Sequence, residues 1–411
     1  MRAMKAEFSL NKICSVSTGF EGDSFVGVKM SGDVPKVCFP LGFSLSDSEK
    51  ELRKDIVLLI KVLRTFHRRD EESCAPSYRE TALLDFPLFA YQRMMLHYMN
   101  YGSVFEIENA YVGAKTGKIS WGRTIKQKQP IYQDNGPVYL DYIVKKSVSA
   151  QDSLLSEIYN YCVYCAFNTI GWLYTDKQFR KPKIKFNKKM FAAVVKEKLD
   201  LSYTDARKEL FSDMIAIIND QGNEGYKQKD YIYGTYEFEY IWEKIIDRAY
   251  GIGDKKKYFP RTYWHLSSDR DNHVLEPDTI MLHGRDIYVL DAKYYRYGVT
   301  GNPSHLPDTS SIQKQITYGE YIDNHSKEFG VDRIFNAFLM PADLCSGRFQ
   351  CDASVSYVGY ADSDWKKNDK TYEKVAAILV DTKSLMKNYS KNSSLVDELA
   401  KNICYYISAI K

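Results

Sequence analysis

The sequence predicts an α/β protein, with a mixed sheet flanked by helices over residues 221–411 and a preceding α+β domain over residues 1–220. Three observations carry this. Val274 to Gly298, VLEPDTIMLHGRDIYVLDAKYYRYG, holds two apolar, β-prone runs around a tight turn. The stretch before it, YEFEYIWEKIIDRAYG from Tyr236, repeats Phe238, Trp242, Ile245 and Ala249 at helical spacing. Beyond it, DRIFNAFLMPAD, SVSYVGYAD and KVAAILVDTK read as further strands, and Ser394 to Ile410 closes with a helix. A chain of 411 residues exceeds one typical core, so two or three domains are expected.

In chain order, the N-terminus MRAMKAEFSLNK has no signal-peptide apolar region, and the longest apolar runs, such as Ile56 to Ile60, fall far short of the roughly 20 residues that span a bilayer. A cytoplasmic protein without membrane contact is expected. SFVGVKM and KVCFPLGF read as short strands. Ser46-x-x-Glu49 reads as a capping box opening a helix with the stripe Leu52, Ile56, Leu59, Ile60, Leu63 and Phe66. A polar loop follows to about Arg79. A second helix from Pro87 places Phe89, Met94, Met95, Tyr98 and Met99 in the core. Gly113 to Lys118 is one residue too short for a phosphate loop, and Ile119 replaces the required Ser or Thr, so nucleotide binding by this chain is rejected.

Ser149 to Tyr174 reads as a long aromatic helix. It carries Cys162 and Cys165, the one close pair among eight cysteines; a zinc site would want a second pair, so buried thiols are expected. Then Lys177, Arg180, Lys181, Lys183, Lys185, Lys188 and Lys189 cluster with Phe179 and Phe186 interleaved. Either a solvated linker or a groove tracking a DNA backbone has this composition. A helix through Leu210, Met214 and Ile217 leads to the turn QGNEGYKQKD, where the second domain begins. With 57 basic and 53 acidic residues the net charge is +4, which permits nucleic-acid binding without indicating it. His265, His273 and His283 lack metal or nuclease spacing and are read as non-catalytic.

The hairpin carries the chemistry. His283-Gly284-Arg285-Asp286 reads as a two-residue turn with Gly first, which pairs His283 with Asp286, Thr279 with Leu290, and sets Asp278 opposite Asp291. Like charges directly opposed destabilise a sheet, so a cation should join them. Two converging carboxylates, the backbone carbonyl of Ala292 and water suit Mg²⁺ (or Mn²⁺). Lys293, on the face of Asp291, would hold a water or offset charge on a scissile phosphate, which is the chemistry of phosphodiester hydrolysis.

Pro277-Asp278 followed by Asp291-Ala292-Lys293 resembles the PD-(D/E)xK nuclease signature. The resemblance implies that Glu243, with Glu239 second, supplies a further metal ligand or orients a water. Gln315 and Tyr318 in SSIQKQITYGEYI resemble the Gln-x-x-Tyr element after the catalytic strands of some such nucleases, where the amide reaches the phosphate or the catalytic lysine and Tyr318 joins the DNA contacts. GKISWGRTI, with FPLF near position 88, resembles a segment upstream of the nuclease core in McrC and LlaJI restriction subunits. The chain is thereby identified, from about residue 85 to 320, as resembling a LlaJI-family, McrC-like restriction endonuclease subunit. That resemblance implies double-stranded DNA as substrate and an McrB-like AAA+ GTPase as partner, with residues 1–220 serving DNA recognition or assembly. Two other classes stay open: an autonomous nuclease of repair or mobile-element processing, and a non-catalytic adapter binding DNA or an ATPase.

Overall fold

The computed structural model describes residues 9–410 apart from 21–22, 32–33, 68–85, 104–105, 134–135, 151–153, 176–178, 223–224, 228–229, 266–273, 368 and 391–392. The loop read up to Arg79, Lys177 and His273 lie outside the described residues.

By its internal packing the chain falls into two units, residues 1–84 with 230–411, and residues 85–229. The sequence places the domain boundary near residue 220, whereas the described part of residues 9–67 packs with the C-terminal half. The reason is strand pairing that no local pattern announces.

The first unit opens with α1 (Leu10–Ile13), β1 (Cys14–Val16), β2 (Val26–Ser31), β3 (Val34–Phe39) and α2 (Glu49–His67). Helix α2 buries its expected stripe, but Ser48 rather than Ser46 sits at its start, its hydroxyl taking the Glu51 amide at 3.3 Å. The Ser46 amide is instead held by Asp55, 3.1 Å away.

The second unit holds α3 (Leu88–Tyr101), β4 (Glu106–Ala114), β5 (Lys118–Ile119), α4 (Trp121–Gln127), β6 (Ile131–Gln133), β7 (Gly136–Val138), β8 (Tyr142–Ala150), α5 (Leu154–Ile170), α6 (Lys188–Asp200) and α7 (Asp205–Asp220). Strands β4, β8 and β5 form one sheet, and β6 and β7 a ribbon. Met99, expected in the core of α3, is 53 % exposed. Ser149 and Ala150 belong to β8, so the aromatic helix starts later than its composition implied. Cys162 and Cys165 are buried and unpaired, and burial pushes both thiols up.

The chain returns to the first unit with β9 (Tyr231–Thr235), α8 (Phe238–Tyr250), β10 (Thr279–His283), β11 (Asp286–Ala292), α9 (Tyr297–Thr300), α10 (Thr309–Asn324), α11 (Ser326–Phe329), β12 (Arg333–Ala342), β13 (Val355–Ala361), β14 (Val375–Asp381), α12 (Thr382–Lys387) and α13 (Ser393–Ala409). β9 pairs antiparallel with β2, Val26 opposite Thr235, closing a sheet ordered β1-β3-β2-β9. The larger sheet runs β10-β11-β12-β14-β13, its three central strands parallel and both edges antiparallel. Central strands between two helical layers should be apolar without alternation, and β11 and nearly all of β12 are buried.

Residues 40–46 are clamped onto this sheet. A Cβ on Gly42, whose φ is +71°, would stand 2.7 Å from the Ala342 amide nitrogen, so only glycine lets the two backbones approach. Thr382 donates to the Leu41 carbonyl at 3.0 Å, and Lys383 reaches Asp55 (2.8 Å), Ser46 Oγ (2.8 Å) and the Ser44 carbonyl (3.0 Å).

Candidate active site

The register of the hairpin agrees with the count made from its turn, from His283 opposite Asp286 to Thr279 opposite Leu290. Gly284 has φ +62°, the left-handed geometry that makes glycine the favoured first turn residue. Both faces of the hairpin are covered. Ile280, Ile287 and Val289 pack with Tyr318 and Ile322 of α10, while Tyr288 stacks on Phe335 at 5.0 Å and donates to the Ala400 carbonyl of α13.

At its open end Asp278, one residue before β10, meets Asp291 within hydrogen-bonding reach. Asp278 Oδ2 also accepts the Ala292 amide at 2.9 Å. Burial first, then the Asp291 carboxyl and the Glu243 charge, push Asp278 well above the ordinary carboxylate range. Without a cation Asp278 is therefore protonated far more readily than a free carboxyl. Lys293 Nζ lies 3.0 Å from Asp291 Oδ2. Burial pulls that ammonium down, but Asp291 and Asp278 outweigh it, so Lys293 stays charged. Its main-chain amide donates to the Leu339 carbonyl at 3.0 Å, and the Trp242 indole donates to the same oxygen at 3.2 Å. One carbonyl of β12 thus anchors the lysine and α8.

Helix α8 buries Phe238, Trp242, Ile245 and Ala249 as expected and brings Glu243 to the edge. Burial, then Asp291, raise its pKa, with Lys293 opposing. Glu239, one turn earlier, is exposed. Glu239, Glu243, Ala292 and Lys293 line a cleft of about 690 Å³ together with Arg296 and His305.

Two expectations, at Gln315 and Tyr318, do not match the geometry, and the basic cluster stays open between its two readings except at Lys188. Gln315 is fully buried and its amide donates to the Val289 carbonyl at 2.6 Å, bracing β11 from α10 instead of reaching into the cleft. Its Oε1 has no partner among the described residues. Tyr318 is 2 % exposed and donates to the Glu276 carbonyl at 3.1 Å, so it braces the Pro277-Asp278 segment with its hydroxyl already engaged. In the basic cluster, Phe179 stacks on Phe167 (4.0 Å) and Phe186 on Tyr161 (5.2 Å), which turns Lys181, Lys183, Lys185 and Lys189 outward. Lys188 is spent on the Asn219 and Gln221 carbonyls at the end of α7, 2.7 and 3.2 Å away.

Sequence reading missed Lys255, whose ammonium joins Asp247 (2.8 Å) to the Asp278 carbonyl (2.6 Å). Nothing in its spacing could have found it. A further group, Asp343, Cys345 and Asp381, brings three ligand atoms within 4.8 Å of one another. Its carboxylates are occupied: Asp381 caps α12 through the Ser384 amide and takes the Leu344 amide, and Asp343 takes the Cys345 and Ser346 amides.

Among known proteins the chain is 24% identical over 258 residues to the type II restriction enzyme BsuMI component YdjA of Bacillus subtilis (strain 168), a match covering 59% of this chain and 55% of that protein. The chain thus spans about half the length of the curated relative it matches. A refined half-complex from a tetradecameric assembly of Thermococcus gammatolerans McrB AAA+ hexamers with bound McrC contains a chain aligned at 13% identity and a TM-score of 0.36, over 89% of this chain and 81% of that one. A family model for the LlaJI restriction endonuclease matches residues 25–393, a span that includes the hairpin and its carboxylates, and the chain belongs to that family.

Proposed function

We propose that the chain is the nuclease subunit of a restriction system and hydrolyses phosphodiesters of double-stranded DNA at a PD-(D/E)xK site. The observation that carries the reading is the meeting of Asp278 and Asp291 beside Lys293 and Glu243, the last two of which line an open cleft. Partly buried carboxylates driven to share a proton are a donor set that fits a hard divalent cation, because a cation relieves the repulsion that protonation otherwise relieves. Asp278, Asp291, Glu243 and the Ala292 carbonyl would hold Mg²⁺ or Mn²⁺. When bound, such an ion polarises the phosphate and lowers the pKa of an attacking water.

The chain's own groups do the rest. Lys293, charged and fixed by Asp291, offsets negative charge growing on the scissile phosphate. Glu243, half-buried at the cleft, orients water. Gln315 and Tyr318 position the two acidic strand ends from behind.

Restraint of such a site by an McrB-like AAA+ GTPase is part of the proposal, and rests on the likeness of GKISWGRTI and the nuclease motif to McrC-type subunits. The test is DNA cleavage by the purified chain with Mg²⁺, alone and with a cognate AAA+ protein and GTP. Cleavage is expected only in the full mixture, and Lys293→Ala should eliminate it while GTP hydrolysis by the partner survives. Efficient nucleotide-independent cutting would favour the autonomous nuclease, and no cutting with any partner the adapter.

A further inference from the structure

The same cleft has a cationic side that the carboxylates do not use. Arg296, three residues beyond Lys293, lines it with its guanidinium carbon 4.1 Å from the Phe20 ring centroid. Among the described residues no carboxylate pairs with it. Its backbone is held fast. The Thr300 hydroxyl donates to the Arg296 carbonyl at 3.1 Å, accepts the Asn302 amide at 3.2 Å and meets His305 Nδ1 at 2.8 Å. Arg348 ties the Thr300 carbonyl from the other side at 3.2 Å.

A guanidinium stacked on an aromatic face loses little further rotamer freedom on binding, and its planar fork of N–H donors matches a phosphate. Glu239 and Glu243 in the same cleft make it a poor host for a small free anion. They are tolerable to a polyanion that presents one phosphate at the carboxylate–cation site and its neighbour at the arginine. We propose that Arg296, held over Phe20, binds a backbone phosphate of the DNA strand adjacent to the scissile one. The proposal rests on the nuclease reading of the cleft. It assigns a DNA-backbone contact to a residue other than the lysines of residues 181–189.

The test uses the full chain and a short DNA duplex, with Ca²⁺ in place of Mg²⁺, and reads fluorescence anisotropy from about 20 to 200 mM salt. Arg296→Gln should weaken binding severalfold for every sequence and lower the log–log salt slope by about one unit, the signature of one phosphate no longer neutralised. Phe20→Ala, at a side chain 54 % exposed, should weaken binding and leave the slope intact, because the charge remains. An unchanged slope in Arg296→Gln, or no duplex binding by the wild type even at the lowest salt, would overturn the proposal. Cleavage by the wild type with partner and GTP is scored separately. A chain that binds with the expected fall in slope but never cuts upholds the phosphate contact against the nuclease reading, and one that cuts with Arg296→Gln unaltered in slope does the reverse.

Discussion

Asp278 and Asp291 repel each other at a partly buried strand end, and a proton or a cation between them relieves that repulsion. Because the folded chain holds Asp278 above its ordinary value of 3.8, the native state binds more protons than the unfolded chain over the interval above that value. Stability in metal-free buffer should therefore fall as pH rises through that interval. Melting temperatures of wild type and Asp278→Asn, measured in chelator between pH 5 and 8, should diverge in favour of the variant toward pH 8. Mg²⁺ should raise the wild-type value at pH 8 and leave the variant's nearly unmoved; equal responses would remove the metal from these two carboxylates. Cleavage should be lost in Asp278→Asn at every pH.

At the scale of elements, the hairpin is aligned from two sides. Helix α8 and Lys293 share the Leu339 carbonyl, while α10 grips β11 through Gln315 and the Pro277-Asp278 entry through Tyr318. Gln315→Ala should then cost about 1–3 kcal/mol in chemical denaturation, the range for losing a buried hydrogen bond, and leave activity per folded molecule far closer to wild type than Lys293→Ala does. A direct role at the phosphate would reverse that order. The outward lysines make a different prediction. Replacing Lys181, Lys183 and Lys185 by Gln should weaken binding to all duplexes alike and flatten the salt slope by about one unit for each phosphate no longer neutralised. A constant slope would mark the segment as solvated.

For the molecule as a whole, residues 26–55 are part of the C-terminal unit's structure. β2 carries β9 at its edge, Gly42 lies against Ala342, and Lys383 neutralises Asp55, which is 3 % exposed. Removing one partner of a buried pair leaves an uncompensated charge, so Lys383→Met should cost about 3–5 kcal/mol by denaturation. The double variant Lys383→Met with Asp55→Leu should recover much of that deficit; a merely additive double variant would mean the pair is not coupled.

The sequence by itself determined what depends on near neighbours. The turn at Gly284 set the register, the register set Asp278 against Asp291, and the period of apolar residues in YEFEYIWEKIIDRAYG set which side of α8 faces the sheet. Each is local, because alternation and helical repeat are properties of a few consecutive residues. Tertiary structure alone decided the rest. Gln315 and Tyr318 became buried braces once α10 lay across β11, Lys188 became a helix-end ligand once α7 stopped beside it, and Lys255 came to hold Asp278 from 23 residues away. Met99 looked like core and is solvent-facing, since a helix period shows that a face exists without showing what covers it. The pairing of β2 with β9 joins residues about 200 apart, and no spacing in the chain records which distant strand will complete a sheet.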